Sequence, residues 1–215
     1  MSFDIHQNLR EEVSDAKLAT LSHTWEYEDR RRMQEVAPCL YVGPYASSKD
    51  KQALIDNGVN VIILLRTSTE VMVKPRYPDE FEYHMFELDE AGKDSAIPTL
   101  RSTTRIIRDN IRQGKSCLCV DMWGIGRVSM AAIAYIITVT GCSSLLAFNY
   151  LHSRRACVYI SQPAWDRLIE YEPLAVCEYQ MIEAGTDMED GREGQKRKLE
   201  TLADVAEVLA KRGRS

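Results

Sequence analysis

The sequence predicts an α/β fold, a central, largely parallel, twisted sheet flanked by helices. Residues 59–65 (V-N-V-I-I-L-L) are β-branched and nearly all apolar, the pattern of a strand buried on both faces. Residues 117–120 form a second short apolar run, which passes through a glycine-bearing loop into the strongly apolar segment 129–139. Between the two runs lies a stretch of helical length, so strands alternate with helices, as parallel sheets require.

The elements follow in order. Residues 1–24 are polar and of mixed charge, with weak helical periodicity around Leu18 and Leu21, and read as an N-terminal extension to a domain spanning residues 25–182. Pro38 and Pro44 bracket Leu40-Tyr41-Val42, a short strand. Residues 50–56 suit a helix that stops at Asn57-Gly58. After the strand at 59–65, residues 81–88 alternate as another strand. Pro98 sits in the first turn of a helix that reaches Gln113 and ends at Gly114. The helix at 129–139 buries Ile133 and Ile136 and is closed by Gly141. Ser143 or Ser144 caps the next helix, which holds Leu145, Phe148 and Leu151, and Pro163 opens another through Tyr171 towards Ile182. Residues 183–195 are rich in Gly, Glu and Asp. With Leu199, Leu202, Val205, Val208 and Leu209 they make 183–215 a linker followed by a short amphipathic helix.

A length of 215 residues with 45% hydrophobic and 27% charged side chains fits one globular domain with terminal extensions. A net charge of −5 argues against a nucleic-acid binder held by counterion release. The lack of an apolar run of about 20 residues argues against a membrane span. Residues 1–10 have no apolar core of a secretory signal, and Cys39, Cys117, Cys119, Cys142, Cys157 and Cys177 lack framework spacing. Buried free thiols in a reducing compartment are expected, which places the protein in the cytoplasm, the nucleus or both. Cys117 and Cys119 are too close for a zinc knuckle and no His cluster accompanies them, so neither metal nor cofactor is expected.

Chemistry in such a sheet sits beyond the carboxyl ends of its strands. There lies Asp121-Met122-Trp123-Gly124-Ile125-Gly126-Arg127. Two glycines let the loop curl so that its N–H groups converge, the following helix adds its positive end, and Arg127 adds a fork suited to phosphate. A tight strand-to-helix turn also needs glycine for purely structural reasons. Arg127 suits helix capping or pairing with Asp121 as well as it suits an anion. Trp123 reads either as a recognition aromatic or as a plug in the pocket mouth, and Cys119 as a core residue.

The loop resembles that of the dual-specificity branch of the protein-tyrosine phosphatases, where it reads His-Cys, five residues, Arg, then Ser or Thr. The step from Asp121 to Arg127 is the same and Gly124 falls at the family's loop glycine. Trp25, Tyr27, Arg30, Arg31, Met33, Gln34, Glu35, Pro38, Leu40 and Gly43-Pro44-Tyr45 are similar to the non-catalytic, serine/threonine/tyrosine-interacting branch of that family. Ile133 to Ile136, Ala147-Phe148, Arg154-Arg155 and Glu170-Tyr171-Glu172 fall at matching distances.

What the resemblance implies lies in the departures. Asp121 stands at the nucleophilic cysteine, Val120 at the histidine and Val128 at the hydroxyl that helps the thiolate leave, with Ser129 one residue too far. The general-acid position falls at Gly92, with Asp89, Glu90 and Asp94 nearby. A carboxylate is a far weaker nucleophile than a thiolate towards a phosphate dianion. The expectation is a pseudophosphatase with no catalytic residue, a binding or scaffold module in phosphorylation signalling. Its partners by resemblance are a phosphoprotein, a kinase or a ubiquitin-ligase adaptor. Two alternatives stand beside it: a residual or magnesium-dependent phosphatase using Asp121, and a structural subunit of a larger assembly with no phosphate role. Asp121 is further expected to take up the nest's hydrogen bonds and to pair with Arg127.

Overall fold

The computed structural model describes residues 5–15, 25–89 and 96–185. In chain order these form α1 (Ile5–Asp15), a 3-10 helix (Tyr27–Arg31), β1 (Gln34–Ala37), β2 (Leu40–Pro44), a second 3-10 helix (Tyr45–Lys49), α2 (Lys51–Asp56) and β3 (Val59–Arg66). Then come β4 (Glu82–Glu87), α3 (Ala96–Arg112), β5 (Ser116–Asp121), α4 (Arg127–Thr140), α5 (Ser144–Arg154) and α6 (Gln162–Glu183). Residues Met1–Tyr179 make one compact unit. Of the second, Gln180–Ser215, the described part is the end of α6 and the turn to Gly185.

The sheet has the order β1-β2-β5-β3-β4, parallel throughout except for β1, which runs antiparallel to β2. Strict alternation along the central strands sends side chains into two cores. Cys117 and Cys119 of β5, with Val61, Ile63 and Leu65 of β3, face the core shared with α1, α3, α4, α5 and α6. Leu118 and Val120, with Ile62 and Leu64, face the smaller core that Tyr45, Leu54, Val73 and Phe81 close from the other side.

Local signals explain most boundaries. Asp50 caps α2 by accepting the Ala53 N–H at 3.1 Å, and Asn57-Gly58 ends it with Gly58 at φ 62°. Ser143, not Ser144, caps α5 through the Leu146 N–H, while the Ser144 hydroxyl donates to Glu172. Gly141 closes α4 in the left-handed conformation.

Several expectations need correction. Helix α4 has no free face: every residue from Arg127 to Val139 is buried. The N-terminal segment carries core residues, since Leu9 and Val13 of α1 are buried against α4 and α5. Arg10 Nε donates to the Val139 carbonyl at 3.3 Å, and Glu12 accepts from the Tyr150 hydroxyl and from Arg154. Helix α6 ends at Glu183, one residue beyond the expected Ile182. The periodicity at Leu18 and Leu21, and the stripe from Leu199 to Leu209, lie outside the described residues. All six cysteines are free thiols, but only Cys117 and Cys119 are fully buried and Cys177 is exposed.

Because Ile136 lies at 0% exposure in the larger core, Ile136→Asp should place an unpaired carboxylate there and abolish soluble expression. A soluble Ile136→Asp protein that melts cooperatively would contradict this packing.

Candidate phosphate-loop site

Strand register brings the site together. Pro44 of β2 pairs with Asp121 and Leu64 of β3 with Val120, so the carboxyl ends of three parallel strands meet beside the start of α4. Asp121 is 2% exposed. Its Oδ1 accepts the Trp123 N–H at 2.8 Å and the Gly124 N–H at 2.5 Å, and its Oδ2 accepts the Val128 N–H at 3.1 Å. The loop thus curls around an anion, as its glycines predict, and the anion is its own side chain. Desolvation makes such a carboxylate costly unless hydrogen-bonded, and three N–H groups meet that need.

Gly124 makes the curl possible. Its φ is 69°, and a Cβ there would lie 2.3 Å from the Pro44 nitrogen and 2.5 Å from the Gly43 carbonyl carbon. Arg155, which is fully buried, clamps the same turn. Its Nε donates to the Gly124 carbonyl at 3.1 Å, its Nη1 to the Arg32 carbonyl at 3.0 Å and Gln34 Oε1 at 2.6 Å, and its Nη2 to the Arg30 carbonyl at 3.0 Å. Burial lowers the Arg155 pKa, which Cys157, Asp121 and Asp29 partly oppose.

Arg127 does not pair with Asp121 as expected. Its Nη1 and Nη2 donate to Glu70 Oε2 at 2.5 Å and Oε1 at 2.7 Å, a bidentate ion pair nearly shielded from water. Asp121 is already satisfied by the backbone, which leaves the guanidinium to a carboxylate 57 positions away in sequence. Glu70 sits in the turn after β3, where it accepts the Thr67 N–H at 2.8 Å and its own N–H reaches the Thr67 carbonyl. The hydrogen bond from Arg127 holds its pKa below the ordinary carboxylate value, against the opposing effect of burial. The pair therefore stabilises the fold at neutral pH, and that contribution fades as the pH falls through the lowered Glu70 pKa.

The remaining predicted residues divide clearly. Trp123 is 70% exposed, so it is no plug. Ser129 donates its hydroxyl to the Ile125 carbonyl at 2.6 Å, and Val128 is buried. Cys119 is fully buried and desolvation raises its pKa, while that of Cys117 is pushed up to about 12, so neither supplies a thiolate. Asp89 stands exposed just past β4, which β3 separates from β5. Gly92 and Asp94 lie outside the described residues. No group of three or more His, Cys, Asp or Glu able to hold a metal occurs among the described residues. Sequence reasoning missed Glu70, which nothing marks in R-T-S-T-E. It noted Arg155 only as part of a resemblance.

Comparison with known proteins gives a consistent picture. Residues 40–173 match the family model described as the dual specificity phosphatase, catalytic domain. The mouse serine/threonine/tyrosine-interacting protein is 31% identical over 153 residues, covering 70% of this chain and 69% of that one. Human dual specificity protein phosphatase 22 is 24% identical, covering 68% and 77%. The crystal structure of the human tyrosine phosphatase-like serine/threonine/tyrosine-interacting protein superimposes with a TM-score of 0.64 at 30% identity, covering 67% of this chain and 98% of that one.

Proposed function

Because this chain belongs to the dual-specificity phosphatase family yet carries Asp121 where the family's thiol stands, we propose that it is a pseudophosphatase, a binding module rather than a hydrolase. The observation that carries this reading is the Asp121 carboxylate, which takes three N–H groups of the loop for itself. A carboxylate so held is neither a free nucleophile nor a neighbour that tolerates a phosphate dianion. Two unit charges about 4 Å apart repel by about 4 kcal/mol at an effective dielectric near 20. Val120 and Val128 remove two further supports of the chemistry.

As a binding module, the protein acts in phosphorylation signalling in the cytoplasm or nucleus, on a phosphoprotein, a kinase or a ubiquitin-ligase adaptor. The name of the serine/threonine/tyrosine-interacting relatives supports a protein partner. With its phosphate loop self-occupied, the module engages that partner through another surface.

The test has two arms. Wild-type protein should release nothing above background from para-nitrophenyl phosphate, with or without magnesium. In calorimetric titrations at pH 7, Asp121→Gly and Asp121→Asn should bind tungstate or a phosphotyrosine peptide more tightly than wild type, by about tenfold or more. Vanadate-sensitive turnover by wild type, lost in Arg127→Ala, would falsify the reading, as would wild-type binding equal to that of both variants.

A further inference from the structure

We propose that Glu70 is a second built-in anion of this site and lowers its affinity for oxyanions: it holds the Arg127 guanidinium that an incoming phosphate-like oxyanion would need. The inference rests on the pseudophosphatase reading and extends it from the backbone half of the pocket to the side-chain half.

Geometry carries the argument. A phosphate loop offers two kinds of donor, converging N–H groups and one planar guanidinium, and an oxyanion needs both to be held well. Asp121 occupies donors of the first kind at Trp123, Gly124 and Val128. Glu70 occupies the second kind with both of its oxygens, one on each terminal nitrogen of Arg127. This is the fork-to-fork arrangement a phosphate would otherwise adopt, and the pair is only slightly exposed on either side.

Glu70 is also held in place rather than loosely collapsed on Arg127. The Thr67 N–H bonds its carboxylate, its backbone bonds Thr67 and Val73, and the Val73 carbonyl accepts from Arg66. The Tyr45 hydroxyl fixes the following residue by donating to the Lys74 carbonyl at 2.8 Å. Strand order explains how the two halves meet. β3 lies next to β5, so the turn that leaves β3 opens beside the loop that leaves β5. An anion reaching Arg127 must therefore displace a carboxylate that is oriented before it arrives.

Two occupied halves predict a specific pattern of coupling. With Asp121 in place, freeing Arg127 gains little, because the nest is still full. With Asp121 gone, Glu70 becomes the remaining competitor. Tungstate titrations at pH 7 of wild type, Asp121→Gly, Glu70→Gln and the double variant read this directly. Glutamine keeps the shape and an acceptor oxygen and removes the charge. Glu70→Gln should change tungstate affinity less than threefold in the wild-type background and tighten it by about tenfold to a hundredfold in the Asp121→Gly background. A merely structural Glu70 would lower thermal stability in both backgrounds and leave the Asp121→Gly affinity where it was. Equal affinities of Asp121→Gly and the double variant would overturn the inference while leaving the pseudophosphatase reading intact. Wild type binding as tightly as Asp121→Gly would strike that reading instead, and the two Asp121→Gly proteins would still decide the role of Glu70. Should the double variant fail to fold, Asp121→Gly alone serves. Adding tungstate must shift the Arg127 guanidinium and Glu70 carboxyl NMR signals together, and a shift of Arg127 with Glu70 unmoved would refute displacement.

Discussion

Gly124→Ala should destabilise this protein by more than about 3 kcal/mol, far beyond the cost of a left-handed alanine. Two effects combine at this position. The positive φ of 69° costs an L-residue roughly 1–2 kcal/mol. The added Cβ would also lie 2.3 Å from the Pro44 nitrogen, 2.5 Å from the Gly43 carbonyl carbon and 2.9 Å from its oxygen, all backbone atoms of β2. Flexible side chains swing aside cheaply, but a ladder strand does not, so either the loop or the end of β2 must move. Displacing the loop also strains the Arg155 bond to the Gly124 carbonyl and the Asp121 bond to the Gly124 N–H. Gly58→Ala separates the two effects, because Gly58 has a similar φ of 62° and an added methyl there would meet nothing within 4 Å. Urea denaturation of both variants should show Gly58→Ala losing only the conformational part. Losses of equal size would mean that the close approach to β2 is not real.

Asp121→Cys should restore a reactive thiol without restoring turnover. The three N–H groups on Asp121 would face the new sulfur and favour its thiolate, so iodoacetamide should alkylate Cys at this position well below pH 8. Hydrolysis needs more. Val120 supplies no imidazole, Val128 offers no hydroxyl, and Ser129 commits its own to the Ile125 carbonyl. Groups that act as a catalytic unit are strongly non-additive. Adding Val120→His and Val128→Ser to Asp121→Cys should therefore raise phosphatase activity by about a hundredfold or more, beyond the product of the single effects. Comparing alkylation rate with turnover across the series distinguishes a missing nucleophile from missing support. An Asp121→Cys protein as fast as the triple variant would show that the valines are irrelevant.

How much of the fold and site is legible in the sequence depends on whether the cause of a feature is local. The buried run of β3 and the glycines at 58, 124 and 141 carry their structural reasons within a few residues, and each appears where the sequence places it. β1 is not legible. It spans four residues, Gln34–Ala37, and its turn is made by Cys39 at a positive φ of 62°, helped by Glu35 accepting the Cys39 N–H, rather than by a glycine or asparagine. α1 is hidden because, among its described side chains, Leu9 and Val13 are the buried apolar ones, too sparse a stripe in a polar segment. In the site, the anion nest follows from spacing, whereas the partner of Arg127 does not. Asp121 and Arg127 are close in sequence and opposite in charge, which suggests a pair. The backbone, however, satisfies the carboxylate first, and tertiary structure delivers Glu70 to the guanidinium.

The hydrogen bonds of Arg155 set a limit on how this protein can be truncated. The match to the family model begins at residue 40, and a fragment cut there would retain every strand except β1. It would also discard the Arg30 and Arg32 carbonyls and the Gln34 amide, three of the four acceptors around a cation with no exposure to water. A buried guanidinium stripped of its acceptors is among the costlier defects a protein interior can hold. The smallest stretch able to fold by itself is therefore longer than the stretch the family model matches. It must begin upstream of Arg30, with the 3-10 helix that precedes the sheet acting as part of the loop's foundation.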